Sequence, residues 1–220
     1  MLSKIHLILP RETKKSILLL CLALGMVGIS YGSLSIGYGF PLWIPLLTSV
    51  IVAAGSSEFI FLGIIASGGH PIAAAIAGLL VNARHFPFGL AVRELVGSRM
   101  KAILGAYIMN DSSVVFGMSQ STHKMRVAAY WVCGIGVVIF WPLGTLIGGL
   151  LGKILPSPQN IGLDAVFPTV LLALVIPAFK NKTTLLRSSA GALISLITIP
   201  LIPAGAPFLL SILGLLVRKK

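Results

Sequence analysis

The stretch that decides the fold runs from Ile17 to Ser57, ILLLCLALGMVGISYGSLSIGYGFPLWIPLLTSVIVAAGSS, and it contains no Asp, Glu, Lys or Arg. A helix needs about 20 apolar residues to cross a bilayer, so this stretch is about twice as long as one span requires. We therefore predict two spans, near residues 17–39 and 46–66, with a turn between them. The residues that favour a turn there are Gly37, Gly39, Pro41 and Pro45.

Composition indicates that the whole chain belongs in a membrane. Apolar residues make up 56% of its 220 residues and charged residues only 10%, and the mean hydropathy is +1.01. A soluble domain carries about 25% charged residues, so this chain cannot cover its surface in water. The hydrophobicity also excludes a disordered chain. We predict an all-α, polytopic integral membrane protein.

The remaining apolar blocks continue this pattern. Together with the first two spans they give seven predicted transmembrane helices, and a moderately apolar segment, 102–119, is a candidate eighth. The other five spans lie near 71–91, near 127–151, near 165–179, and in two pieces of 188–217 that are divided by Pro200, Pro203 and Pro207.

The charge balance is strongly basic, with 17 Lys and Arg against 5 Asp and Glu and a net charge of +12. These residues lie at the edges of apolar blocks, which indicates cytoplasmic ends beside anionic membrane lipid and no nucleic-acid partner. The clusters at 4–15, 180–187 and 218–220 are all cytoplasmic only if 102–119 crosses. That choice leaves the basic residues of 93–101 outside, so seven and eight spans both stay open.

A weak internal repeat is visible. A shift of 112 positions places Cys21 on Cys133, and Gly32 on Gly144. Repeated halves are common in secondary transporters. We predict a single transport domain, 1–220, whose halves are parallel or inverted depending on segment 102–119. The predicted halves are 14–92 and 126–203, joined by 93–125.

A carboxylate interrupts the second predicted span. Ser56, Ser57 and Glu58 follow a glycine, which makes a weak helix centre whose freed backbone groups can line a cavity. A charge inside a membrane is costly and usually functional. Glu58 is thus a candidate ligand for a substrate amine or a proton. The alternatives are an acid kept neutral by burial and a structural ion pair.

Three polar residues lie in the second half of the third predicted span. Asn82 and His85 are three positions apart, so a continuous helix places them on one face and Arg84 on another. Arg84 is a candidate for pairing with Glu58, gating a pathway or binding a substrate carboxylate. The alternative is that Arg84 reaches the lipid headgroups. His85 suits either a proton relay or a structural role.

Two further acidic positions are candidates for a transport pathway. Asn110 and Asp111 interrupt the segment 102–119, as a loop or as the lining of a cavity. Asp164 begins a predicted span, where the alternative role is to cap its helix. The acidic and histidine residues are too dispersed for a metal site, and we predict no cofactor.

Small residues recur at a spacing that lets two membrane helices approach closely. The pairs separated by three residues are Gly28 and Gly32, Gly144 and Gly148, and Gly148 and Gly152. They indicate a scaffold contact or a contact between subunits. The chain has no phosphate-binding loop, nucleophile elbow or zinc-protease signature, so we predict that it is not an enzyme.

Several of these stretches resemble the AzlC family. The resemblance lies in 28–34, in 53–59 and in the string Leu-Leu-Val-Asn-Ala-Arg-His of 79–85. Comparable family motifs correspond to 110–113 and 162–168, so the resemblance covers nearly the whole chain. Its most specific part is Val-Asn-Ala-Arg-His. One position departs from the family, which usually has Gln where this chain has Glu58, and this departure leaves the substrate and the coupling ion open.

The resemblance implies the large subunit of a bacterial branched-chain amino-acid exporter in the cytoplasmic (inner) membrane. It further implies a small AzlD-type membrane partner and export driven by an ion gradient. For such a zwitterion we expect the carboxylate near Arg84 or a broken-helix N-terminus, and the ammonium near Glu58 or Asp111. The alternative is a non-transporting structural or regulatory membrane subunit.

Overall fold

The computed structural model describes residues 8–154, 169, 172, 176–202, 207 and 210–217. Every regular element in these residues is helical, which confirms the all-α prediction for this part of the chain. The chain forms two compact units: Met1–Gly55 with Asn82–Pro158, and Ser56–Val81 with Gln159–Lys220.

The helices are short in the middle of the chain and long on either side of it. In chain order they are α1 (Arg11–Gly37), α2 (Trp43–Ile51), α3 (Gly55–Ala66), α4 (Pro71–Asn82), α5 (His85–Ala91), α6 (Met100–Tyr107), α7 (Asp111–Met118), α8 (His123–Ile154) and α9 (Lys182–Thr198). Two 3-10 helices, Ile176–Lys180 and Ser211–Leu216, precede and follow α9 in the sequence.

Among the described residues, three helical stretches are long and apolar enough to cross a membrane. They are α1, the stretch Pro71–Ala91 that contains α4 and α5, and α8. These correspond to the predicted spans 17–39, 71–91 and 127–151, although α1 and α8 extend beyond the predicted limits. Most of the predicted span 165–179 lies outside the described residues.

The first unit is built on a close contact between α1 and α8. A methyl group at Gly28 would lie 2.7 Å from the carbonyl oxygen of Trp141, and one at Gly32 would overlap the carbonyl oxygen of Thr145. The predicted role of the glycine pairs in helix packing is therefore confirmed. Glycine permits this approach because it has no Cβ atom, so the two backbones meet directly.

The helices α1 and α8 run in the same direction. Their contacting residues advance together along the chain, which only a parallel pair produces. From the first contact to the last, the pairs are Cys21 with Gly136, Gly25 with Phe140, Gly28 with Trp141, Gly32 with Thr145, and Ser33 with Gly152. Near the N-terminal ends of both helices, the buried side chains of Ile17, Cys21, Ala129 and Cys133 belong to one apolar cluster.

The structure interrupts the predicted span 71–91. Its helix stops at Asn82 and restarts at His85, so Asn82 ends one helix and His85 begins the next. Pro87 explains the interruption. Proline has no N–H to donate to the carbonyl of Ala83, and its ring clashes with that group in a continuous helix. In the first turn of α5 the missing N–H costs nothing.

The second unit contains most of α3 and α4, and α9. In the hairpin of α3 and α4, Ile64 packs against the fully buried Ala74 and Ala77. The basic cluster 180–187, which the sequence suggests is a loop between spans, is helical from Lys182 onward, because α9 begins there. The side chain of Asn181 accepts hydrogen bonds from the backbone of Thr183 and Thr184, and this cap starts the helix early.

Candidate functional site

Three predicted membrane segments are each split into two shorter helices, and the polar motifs of the sequence lie at the splits. The first break, 52–54, separates α2 from α3; the second, 83–84, separates α4 from α5; the third, 108–110, separates α6 from α7. A helix break leaves backbone N–H and C=O groups without their helical partners. In a membrane such groups are tolerated only inside protein or beside a water-filled cavity.

The first break is packed against the contact between α1 and α8. Ala53 adopts a left-handed backbone conformation, with φ of 48°, which stops α2. A Cβ atom at Gly55 would lie 2.7 Å from the ring of Trp141. That ring stacks on Tyr31, with centroids 5.8 Å apart, and the Tyr31 hydroxyl shares a hydrogen bond of 2.8 Å with the hydroxyl of Thr48 in α2.

The third break is an N-cap. The side chain of Asn110 accepts a hydrogen bond of 3.0 Å from the backbone N–H of Ser113. In return the hydroxyl of Ser113 accepts one of 2.9 Å from the N–H of Asn110. This reciprocal pair holds the start of α7 and leaves Asp111 in its first turn. The helix dipole stabilises the Asp111 carboxylate at this position.

An ion pair joins the second break to the third. Nη2 of Arg84 lies 3.0 Å from Oδ2 of Asp111, with the side chains 33% and 52% exposed respectively. Arg84 therefore has a protein partner, which the headgroup interpretation does not require. Neither side chain is fully buried in the protein.

A hydrogen bond joins the third break to the first. Tyr107 is the last residue of α6, and its hydroxyl donates to the backbone carbonyl of Val50 in the last turn of α2. The end of α2 thus lies beside the end of α6. Together with the ion pair, this contact connects the three breaks within the first unit.

The remaining polar groups of the second break lie close to each other. Nδ1 of His85 is 3.0 Å from the backbone oxygen of Asn82, and the His85 ring meets Phe88 edge to face. The side-chain oxygen of Asn82 is buried and accepts no hydrogen bond in the structure. A buried acceptor without a donor is costly, and it identifies a place where a polar ligand or water is favoured.

The other candidate residues belong to different parts of the chain. Ser56, Ser57 and Glu58 form the first turn of α3 and lie in the second unit; Ser57 and Glu58 are buried. The predicted break beside Glu58 is therefore present, just before Gly55. Asp164 lies outside the described residues.

Three further aromatic residues of this region were not predicted from the sequence: Tyr31, Tyr107 and Trp141. Each makes its contact with a residue distant in the sequence, so spacing gives no signal for it. Tyr107 carries a weak local signal, because it is an aromatic residue with a hydroxyl that stands three positions before Asn110.

The chain matches one protein family and relatives that are 24–25% identical to it. The sequence model of the AzlC protein family matches residues 20–155. The chain is 24% identical over 196 residues to the branched-chain amino acid transport protein AzlC of Bacillus subtilis (strain 168), covering 86% of this chain and 77% of that protein. It is 25% identical over 188 residues to the inner membrane protein YgaZ of Escherichia coli (strain K12), covering 79% and 76%. No solved structure matches the chain.

Proposed function

Since the chain belongs to the AzlC family, we propose that it is a multi-pass subunit of the bacterial cytoplasmic membrane that exports branched-chain amino acids. Export uses an ion gradient, and the chain hydrolyses no nucleotide. A small second membrane subunit of the AzlD type completes the transporter. The similarity to a protein named for branched-chain amino acid transport supports the substrate class.

The observation that carries this proposal is the meeting of broken helices in the first unit. Secondary transporters bind substrate at discontinuous helices, whose ends offer backbone dipoles to charged groups. Here the second and third breaks are joined by Arg84 and Asp111, and the first and third by Val50 and Tyr107. A zwitterion needs one positive and one negative partner, and this region supplies both.

Efflux measurements test the proposal. The full chain is reconstituted in vesicles loaded with L-leucine, L-isoleucine or L-valine, alone and with a candidate small subunit, under an imposed ion gradient. Gradient-dependent efflux supports the proposal, and a requirement for the small subunit supports the partner. Absence of efflux from both preparations would instead favour the structural or regulatory subunit.

We propose eight membrane crossings, including the segment of α6 and α7. The parallel contact of α1 and α8 supports this count, because parallel helices enter the membrane from the same side. The chain between them then crosses an odd number of times. The segments α2–α3 and α4–α5 supply two crossings, and α6–α7 supplies the third. With α1, α8 and the three spans predicted within 165–217, the total is eight. The basic residues that begin α1 and α8 then lie together on the cytoplasmic side, as the positive-inside rule favours.

Reporter fusions test this topology, because each fusion reports the side of the membrane on which it lies. A fusion after Arg99 should report the outside, and fusions after Ser121 and after Lys220 should report the cytoplasm. The stretch Met100–Met118 covers roughly 28 Å at 1.5 Å per residue, close to the ~30 Å hydrocarbon core. Fusions after Arg99 and Ser121 on the same side would refute the third crossing.

Glu58→Gln should preserve amino-acid binding while changing the pH dependence of efflux. The substitution removes the titratable proton but keeps the size of a side chain that is 2% exposed, and it introduces the residue that the family usually has. Leucine affinity and efflux are measured between pH 5 and 8 for both forms. Glu94→Gln, the same change at an exposed loop position, is the control. Identical pH profiles would exclude a titrating role for Glu58.

A further inference from the structure

We propose that Arg84 and Asp111 form the amino-acid binding site, and that a bound zwitterion breaks their ion pair and pairs with both residues. The substrate carboxylate takes the place of Asp111 on Arg84, and the substrate ammonium takes the place of Arg84 on Asp111. This inference rests on the proposed transport function and names the residues that recognise the substrate backbone.

The geometry of the pair favours exchange. Nη2 of Arg84 lies 3.0 Å from Oδ2 of Asp111, and the two side chains are 33% and 52% exposed. Unpaired charges in a membrane are costly, so the pair opens only when both charges gain new partners, as a bound zwitterion provides. A guanidinium presents two parallel N–H groups to a carboxylate, which suits the free carboxylate of an amino acid.

The backbone on either side of the pair is fixed independently of the pair. The side chain of Asn110 fixes the start of α7, and the helix N-terminus stabilises the carboxylate of Asp111. Arg84 lies at a break whose backbone is set by Pro87, so the break itself does not depend on Asp111. The two charges can therefore separate to admit a ligand without loss of either helix start.

Without a ligand, Arg84 and Asp111 pair with each other, because unpaired charges in a membrane are costly. A neutral hydrocarbon leaves both charges unpaired, whereas an α-amino acid carries both complementary charges on one carbon. The buried acceptor of Asn82, two residues from Arg84, offers the ammonium a further oxygen. The site thus selects for the amino-acid backbone, and the adjoining apolar residues are left to select the side chain.

Binding of matched ligands tests this assignment in the purified full chain. L-Leucine is compared with isoamylamine, which lacks the carboxylate, and with 4-methylpentanoate, which lacks the ammonium. We expect the parent to bind leucine at least tenfold more tightly than either analogue, since a hydrogen bond to a charged group contributes roughly a tenfold to 100-fold change in affinity.

Two variants should each lose the preference for leucine over one of the two analogues. Arg84→Gln should bind leucine no better than isoamylamine, and Asp111→Asn should bind leucine no better than 4-methylpentanoate. The matched controls are Arg93→Gln and Glu94→Gln, which make the same chemical changes at exposed positions after α5.

The outcomes separate this inference from the proposed function. A parent protein that binds no leucine, isoleucine or valine would overturn both. A parent that binds leucine, with variants that keep its discrimination or lose affinity equally for leucine and both analogues, would overturn the inference alone.

Discussion

Gly32→Ala should remove most of the folded protein from the membrane. The added methyl group would overlap the carbonyl oxygen of Thr145 and approach the backbone nitrogen of Gly149 at 2.7 Å. Both are backbone atoms of α8, so no side chain can rotate away to make room. Overpacking a tight core usually costs about 1–3 kcal/mol, and a clash with backbone belongs at the upper end or beyond.

The measurement is the abundance of folded protein in membranes, with the thermal midpoint in detergent as a second readout. The matched control is Gly63→Ala, another glycine inside a helix, where an added Cβ meets no atom within 4 Å. That control should be neutral or stabilising by about 0.5–1 kcal/mol, because alanine is the better helix former. Equal abundance of the two variants would contradict the close contact of α1 and α8.

Arg84→Ala should abolish efflux and reduce the amount of folded protein. Adding Asp111→Asn to this variant should restore the amount of folded protein but not the efflux. The single change leaves the Asp111 carboxylate without its 3.0 Å partner, and an unpaired charge deep in a membrane costs roughly 2.5–3.5 kcal/mol on insertion scales. The double variant R84A/D111N removes both charges, so folding recovers. It cannot hold a zwitterion, and we expect its efflux to stay about 100-fold below the parent or lower.

Arg84→Lys separates charge from shape in the same experiment. Lysine keeps the positive charge and can pair with Asp111, but it cannot present two parallel donors to a carboxylate. We expect near-normal abundance with efflux reduced several-fold. Efflux and abundance are measured in the same vesicles. Parental efflux in R84K or in R84A/D111N, at equal abundance, would mean that the substrate carboxylate binds elsewhere.

Local signals predicted the parts of this structure that depend on neighbouring residues. The spacing of Gly28 and Gly32 predicted a close helix contact, because the interval of four residues places both on one face. The glycine and serines before Glu58 predicted the first break. The break at 83–84 also had a local signal in Pro87, but an apolar run of this length suggests a continuous helix when hydropathy alone is considered.

The ion-pair partner of Arg84 could not be predicted from the sequence. Arg84 had plausible partners in Glu58 and in the lipid headgroups, and its pairing with Asp111 depends on how α5, α6 and α7 fold back on α8. The buried Val92, Ile108 and Tyr130 pack together there and bring the second and third breaks together. Apolar side chains of this kind are interchangeable in a sequence pattern, so their contacts emerge only from the packed structure.

The parallel contact of α1 and α8 has a consequence for biosynthesis. The first helix enters the membrane before α2 to α8 have been synthesised. Its glycine face therefore has no contact with α8 until much later in synthesis. During that interval the hydroxyls of Ser30, Ser33 and Ser35, which are fully buried in the finished protein, face lipid or an insertion factor. Contacts between distant parts of a chain form slowly and leave earlier segments prone to wrong associations. Nascent chains that stop before α8 should therefore depend on insertases and be degraded rapidly by membrane proteases.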